Sequence, residues 1–129
     1  MATILIVEDY PVTQRMLSYT LQKEGYGVLI APNGLAALQV LDKTGVDLVL
    51  TDIAMPEMDG LALLRQIRAD DRFRTLPVII ITASGQDEDR AAASADGAND
   101  FLTKPTSSRE LLETVSRWLA GGNRNATMP

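Results

Sequence analysis

The sequence predicts an α/β fold: a doubly wound three-layer sandwich, with five strand–helix units around a parallel five-stranded sheet. Two observations carry this. Short runs of Val, Ile and Leu alternate strictly with longer amphipathic segments along the 129 residues. The short runs are nearly unbroken in apolar character, which is what a strand buried on both faces requires. Short connections and right-handed crossovers then leave a sandwich with helices on both sides of the sheet.

Each element has its own signal. Ile4-Leu5-Ile6-Val7 is the first strand. Pro11 fits the first turn of a helix, where its missing N–H is harmless. Val12, Met16, Leu17 and Leu21 then recur at helical spacing to about Glu24, and Gly25 ends the run. Val28 to Ala31 is the second strand. Asn33 caps a helix carrying Leu35, Leu38 and Leu41 that stops near Gly45. Val46 to Thr51 is the third strand, and Asp59 or Gly60 opens a third helix with Leu61, Leu64 and Ile67. Pro77 introduces the fourth strand, Val78 to Ile81. A polar, Ala-rich helix from Gln86 to Ala95 follows, broken by Gly97. Ala98 to Thr103 is the fifth strand. The last helix starts near Ser107 or Ser108, carries Leu111, Leu112, Val115, Trp118 and Leu119, and ends at Gly121-Gly122. This gives one domain over 1–121 and a flexible C-terminal tail over 122–129.

Composition narrows the function. A net charge of −5 argues against direct contact with nucleic acid or an anionic membrane, since both need a positive footprint. There is no Cys, which excludes disulfides and thiolate metal sites and fits a reducing, cytoplasmic setting. There is no His, so neither a Ser-His-Asp triad nor a phosphohistidine can be built from this chain. No apolar run approaches the ~20 residues of a membrane span, and no signal peptide is visible.

In open α/β sheets ligands bind beyond the carboxyl ends of the strands. Four of the five predicted strands end in chemistry: Glu8-Asp9, Asp52, Thr82 and Lys104-Pro105. Singly, each has a plain structural reading. Asp9 caps a helix, Asp52 forms a turn, Thr82 is a β-branched strand residue and Lys104 is a surface lysine. Together they make a set. Three carboxylates at one edge repel one another unless a hard cation sits among them, and carboxylate oxygens with retained waters are what Mg²⁺ prefers. A carboxylate nucleophile, a metal, a hydroxyl and an ammonium suit phosphoryl transfer, where catalysis is mainly positioning and charge neutralisation.

The segments ILIVED, LVLTDIAMPEMDG, VIIITA and DFLTKP, in this order, resemble the response-regulator receiver domains of two-component signalling. The resemblance runs over residues 3–120. It implies the flavodoxin-like strand order 2-1-3-4-5. It implies that Asp52 is the phosphoacceptor, and that Glu8 and Asp9 form an acidic pair, with Asp9, Asp52 and the backbone carbonyl of Ala54 on Mg²⁺. Thr82 and Phe101 would be the switch residues, Lys104 would bind the phosphoryl group, and the Lys104–Pro105 bond would be cis. Ala54 and Ser84 would flank the site. Glu8 stands where the family more often has Asp, and Phe101 where it often has Tyr.

The same resemblance implies a donor, a histidine kinase or a histidine phosphotransfer protein, because this chain carries no His. It implies a downstream effector protein, a responding surface on the fourth helix, fifth strand and fifth helix, and a monomer or a phosphorylation-linked dimer. Its chemistry would be confined to its own phosphorylation and dephosphorylation. Three rivals stand beside it. A haloacid dehalogenase-type phosphatase wants an Asp-x-Asp nucleophile on the first strand, where this chain has Glu8-Asp9-Tyr10. A flavodoxin needs a phosphate loop where Glu8-Asp9 would repel phosphate. A docking module indifferent to phosphorylation leaves the acid, Thr and Lys set without a role.

Overall fold

The structure is a computed structural model describing residues 2–83 and 86–124. In chain order its elements are β1 (Thr3–Val7), α1 (Pro11–Lys23), β2 (Gly27–Ala31), α2 (Gly34–Lys43), β3 (Leu48–Thr51), α3 (Gly60–Ala69), a single 3₁₀ turn (Asp71–Phe73), β4 (Val78–Thr82), α4 (Asp87–Ala95), β5 (Asp100–Thr103) and α5 (Ser108–Arg124). All strand pairs are parallel, in the order β2-β1-β3-β4-β5.

The period-2 geometry of strands divides the apolar runs between two cores. Ile4, Ile6, Leu48, Leu50, Ile79 and Ile81 face one side, where they meet Leu17 and Leu21 of α1 and Leu111 and Val115 of α5. Leu5, Val7, Val49 and Val78 face the other, against Ala37 and Leu41 of α2 and Leu63, Leu64 and Ile67 of α3. The central strands β1, β3 and β4 are therefore buried on both faces, as their composition requires. The edge strands are not: Ile30 of β2 is exposed.

Helix starts follow their chemistry. The side chains of Asn33 and Asp59 each accept a hydrogen bond from an N–H in the first turn of the helix that follows. Gly97 closes α4 at φ +101°, a conformation that glycine adopts without strain, and Arg68 lies across it, donating to the Gly97 carbonyl, the Phe73 carbonyl and Asn99 Oδ1 at 2.8–3.0 Å.

The structure corrects the sequence reading in several places. β3 begins at Leu48 and β5 at Asp100, each two residues later than the apolar runs suggest. Val46 and Ala98 are apolar because they pack against the core, not because they pair in the sheet. Val12, Met16 and Leu35 have helical spacing but are exposed; Ala37 occupies the buried face of α2 instead. The 3₁₀ turn between α3 and β4 has no counterpart in the sequence reading. α5 does not stop at Gly121-Gly122 but continues to Arg124. Glycine costs a helix about 1 kcal/mol relative to alanine and need not end it. Residues 125–129 of the anticipated tail, and Ser84, lie outside the described residues. Among the described residues no helix is long and apolar enough to cross a membrane.

Candidate functional site

The register of the sheet assembles the site. Val7 pairs with Thr51 and with Ala31, and Thr82 pairs with Thr103. The ladder then runs one residue past the strands. The N–H of Glu8 donates to Ala31 at 3.0 Å, that of Asp52 to Val7 at 3.1 Å, and that of Lys104 to Thr82 at 2.8 Å. The strand-end residues singled out in the sequence therefore stand at one level along one edge.

Lys104 joins them. β5 lies two strands from β3, a separation of about 10 Å that a lysine side chain helps to span. Its ammonium donates to Asp52 Oδ2 at 2.8 Å and to Glu8 Oε1 at 2.8 Å. Both carboxylates are buried, Asp52 at 7% exposure and Glu8 at 2%. The other Asp52 oxygen accepts from the N–H of Ile53 at 2.6 Å, so both oxygens have fixed directions. Gly60, the first residue of α3, abuts the Asp52 backbone: a Cβ there would stand 2.0 Å from the Asp52 carbonyl oxygen. The Gly60 N–H donates to the Ile53 carbonyl at 2.8 Å, which ties α3 to the loop carrying the acid.

Glu8 is turned inward. Its second oxygen accepts from the N–H of Tyr10 at 3.1 Å, so Glu8, not Asp9, meets the start of α1. The Gln14 amide donates to the Glu8 carbonyl at 2.5 Å. Asp9 is exposed beside them. Thr82 is buried at the end of β4, and Ala54 is exposed in the β3–α3 loop. The Lys104–Pro105 peptide bond is cis. Phe101 is half-buried on β5, and the guanidinium of Arg90 in α4 stacks over its ring, 4.7 Å from the centroid. Arg90 and Gln14 are contributions that the sequence reading missed. Neither has a local signal, because each acts on an element that only the fold brings near.

Electrostatics follow from burial and pairing. Burial pushes the Glu8 carboxyl above its ordinary value, against the pull of Lys104 and the Tyr10 N–H. Burial alone would lower Lys104, but its hydrogen bonds to Asp52 and Glu8 outweigh that and hold the ammonium above its ordinary value. The site thus holds one firmly charged ammonium between two carboxylates, the deeper of which is penalised by desolvation.

Among the described residues, no three Asp, Glu, His or Cys side chains converge as a finished cation cage, since Glu8 and Asp52 both turn toward Lys104. The donor set still suits a hard divalent ion. It is all oxygen, and Glu8, Asp9 and Asp52 against Lys104 leave two negative charges uncompensated, the charge of one Mg²⁺.

Comparison with known proteins identifies the family and the fold. The model of the response regulator receiver domain matches residues 4–116. Protein PilH of Pseudomonas aeruginosa is 40% identical over 121 residues, covering 94% of this chain and 100% of that protein. The signal receiver domain of a signal transduction histidine kinase from Syntrophus aciditrophicus superposes with a TM-score of 0.89 at 37% identity, covering 100% of this chain and 98% of that one. The receiver domain of sensor histidine kinase PA1611 from Pseudomonas aeruginosa, solved with magnesium coordinated in its active site cleft, superposes with a TM-score of 0.86 at 34% identity over 92% of this chain and 98% of that one. The phosphatase and flavodoxin alternatives give way to this match. With its five parallel strands in flavodoxin-like order and its acids and lysine at one edge, the chain belongs to the response-regulator receiver domain family and is a phosphoryl-accepting receiver of two-component signalling.

Proposed function

We propose that Asp52 is the residue that accepts the phosphoryl group, from a phosphohistidine on a kinase or phosphotransfer protein. The observation that carries this is the Lys104 ammonium at 2.8 Å from Asp52 Oδ2, with the Ile53 N–H at 2.6 Å from the other oxygen. These contacts hold the carboxylate in one orientation before the donor arrives, which lowers the entropic part of the barrier. An Asp52 oxygen forms the new O–P bond as the donor's N–P bond breaks. Lys104 then neutralises a phosphoryl oxygen, and the Thr82 hydroxyl donates to another. Asp9, Asp52 and the Ala54 carbonyl would hold Mg²⁺, with Glu8 behind them. When bound, the ion shields the charge that builds on the phosphoryl oxygens. The chain turns over no external substrate; its chemistry is confined to its own acceptor.

The new phosphoryl group carries about −1.5 to −2 charges. Movement of Thr82 toward it frees space for Phe101, and the α4–β5–α5 surface shifts between two populated arrangements that an effector protein distinguishes. A monomer that dimerises through this surface on phosphorylation fits the same scheme.

Intact-mass measurement after incubation with Mg²⁺ and acetyl phosphate tests the assignment. Wild type gains one labile phosphoryl group, and Asp52→Asn gains none. Equal labelling of the variant overturns it, and labelling of neither favours a docking module indifferent to phosphorylation.

A further inference from the structure

We propose that Arg90 is a latch on the switch: its stacking on Phe101 holds the ring and the first half of α4 in the resting arrangement and must open before the α4–β5–α5 surface can change. This rests on the reading of Asp52 as acceptor and Phe101 as the moving aromatic, and adds the element that opposes the movement.

α4 is shallowly buried. Of the residues from Asp87 to Ala95 only Ala93 is buried. The carboxyl end of α4 is tied down twice, by Arg65 to Asp96 at 3.0 Å and by Arg68 to the Gly97 carbonyl at 3.0 Å. The amino-terminal half has Arg90 on Phe101. β5 turns Leu102 into the core of α1 and α5, so alternation sends Phe101 to the opposite face, toward α4. Beside the ring an open cleft of about 260 Å³ is lined by Arg90, Ala93, Ser94, Asn99 and Phe101, which leaves space next to the ring. The Arg90 guanidinium covers a ring that lies beside this open space, so a turn of the ring carries it away from the cation. If turning the ring breaks this contact, the contact biases the equilibrium toward rest.

A cation–π contact at an exposed site is worth a two- to fivefold shift in an equilibrium. By linkage, removing it raises affinity for whatever binds the active arrangement by the same factor. Met in place of Arg90 keeps helix propensity and side-chain bulk but removes the cation.

The test titrates the full chain with beryllofluoride in excess Mg²⁺, followed by fluorescence of Trp118. This single tryptophan donates its indole N–H to Asp100, next to Phe101, at 2.9 Å. Arg90→Met binds beryllofluoride two- to fivefold more tightly than wild type, and Arg90→Lys, which keeps a cation, falls between them. A second readout does not depend on the acceptor. The chain has two phenylalanines, Phe73 and Phe101, so 4-fluorophenylalanine labelling yields two ¹⁹F resonances, assigned with Phe73→Leu. Without beryllofluoride, the Phe101 resonance of Arg90→Met moves toward its beryllofluoride-saturated position. Unchanged affinity in a wild-type-like fold, or a resonance that does not move that way, overturns the latch alone. If wild type shows no response that Asp52→Asn abolishes, the acceptor reading falls and the latch with it.

Discussion

Lys104 sits between Asp52 and Glu8 at 2.8 Å from each, and a methionine there would leave two buried carboxylates facing one another without a cation. Removing one partner from a largely buried charged cluster leaves the others unpaired. Lys104→Met therefore loses about 2–3 kcal/mol of stability at neutral pH, the worth of hydrogen bonds to charged groups. Because the deficit is electrostatic, millimolar Mg²⁺ restores part of it, and restores more in the variant than in wild type. Urea midpoints with and without EDTA measure both effects; a loss that Mg²⁺ leaves untouched would show that the lysine acts through packing of its stem. The acid pair is also where the residue scale was least legible. Glu8 and Asp9 stand side by side in the sequence as an acidic pair, yet Glu8 is buried against Lys104 and Asp9 is exposed. That difference follows from position: the Glu8 backbone still continues the ladder to Ala31, whereas Asp9 lies one residue further beyond the strand end.

The element that positions Asp52, the proposed phosphoacceptor, is α3, through Gly60. Its backbone approaches the Asp52 carbonyl so closely that a methyl group would lie 2.0 Å from the oxygen. Gly60→Ala therefore pushes α3 away from the strand end or displaces Asp52. The expected cost is about 1–3 kcal/mol, the range for overpacking a filled site. Phosphorylation by acetyl phosphate should slow at least tenfold in the fraction that remains folded, because the acceptor oxygens leave the directions set by Ile53 and Lys104. A folded variant phosphorylated at the wild-type rate would place the tolerance in α3 alone. Asp59-Gly60 is readable in the sequence as a helix start, and Asp59 does cap α3. The reason for glycine was not readable, since it depends on which backbone lies beneath it. α4 is the converse: its polar, Ala-rich composition already announced weak anchoring, and the structure adds Arg90 as the contact that composition cannot show.

At the scale of the whole molecule, occupancy of one edge should stabilise the entire sheet, because Glu8, Asp52 and Lys104 continue the ladders of β1, β3 and β5. A ligand bound only by the folded chain, at about 100 times its Kd, adds about 2.7 kcal/mol. Wild type with Mg²⁺ and beryllofluoride at that excess should gain this amount in urea unfolding, and Asp52→Asn should gain almost none. An equal gain in both would locate the ligand elsewhere. The two cores, the strand alternation and the residues at the strand ends were determined by the sequence, because apolar periodicity and strand-end position are local properties of the chain. The later starts of β3 and β5, the exposure of Val12 and Met16, and the passage of α5 through Gly121-Gly122 were decided by packing and pairing. So were the inward turn of Glu8, the reach of Lys104 across two strands and the stacking of Arg90 on Phe101. Each depends on distances between residues far apart in the chain, which exist only once the sheet has set its order and register.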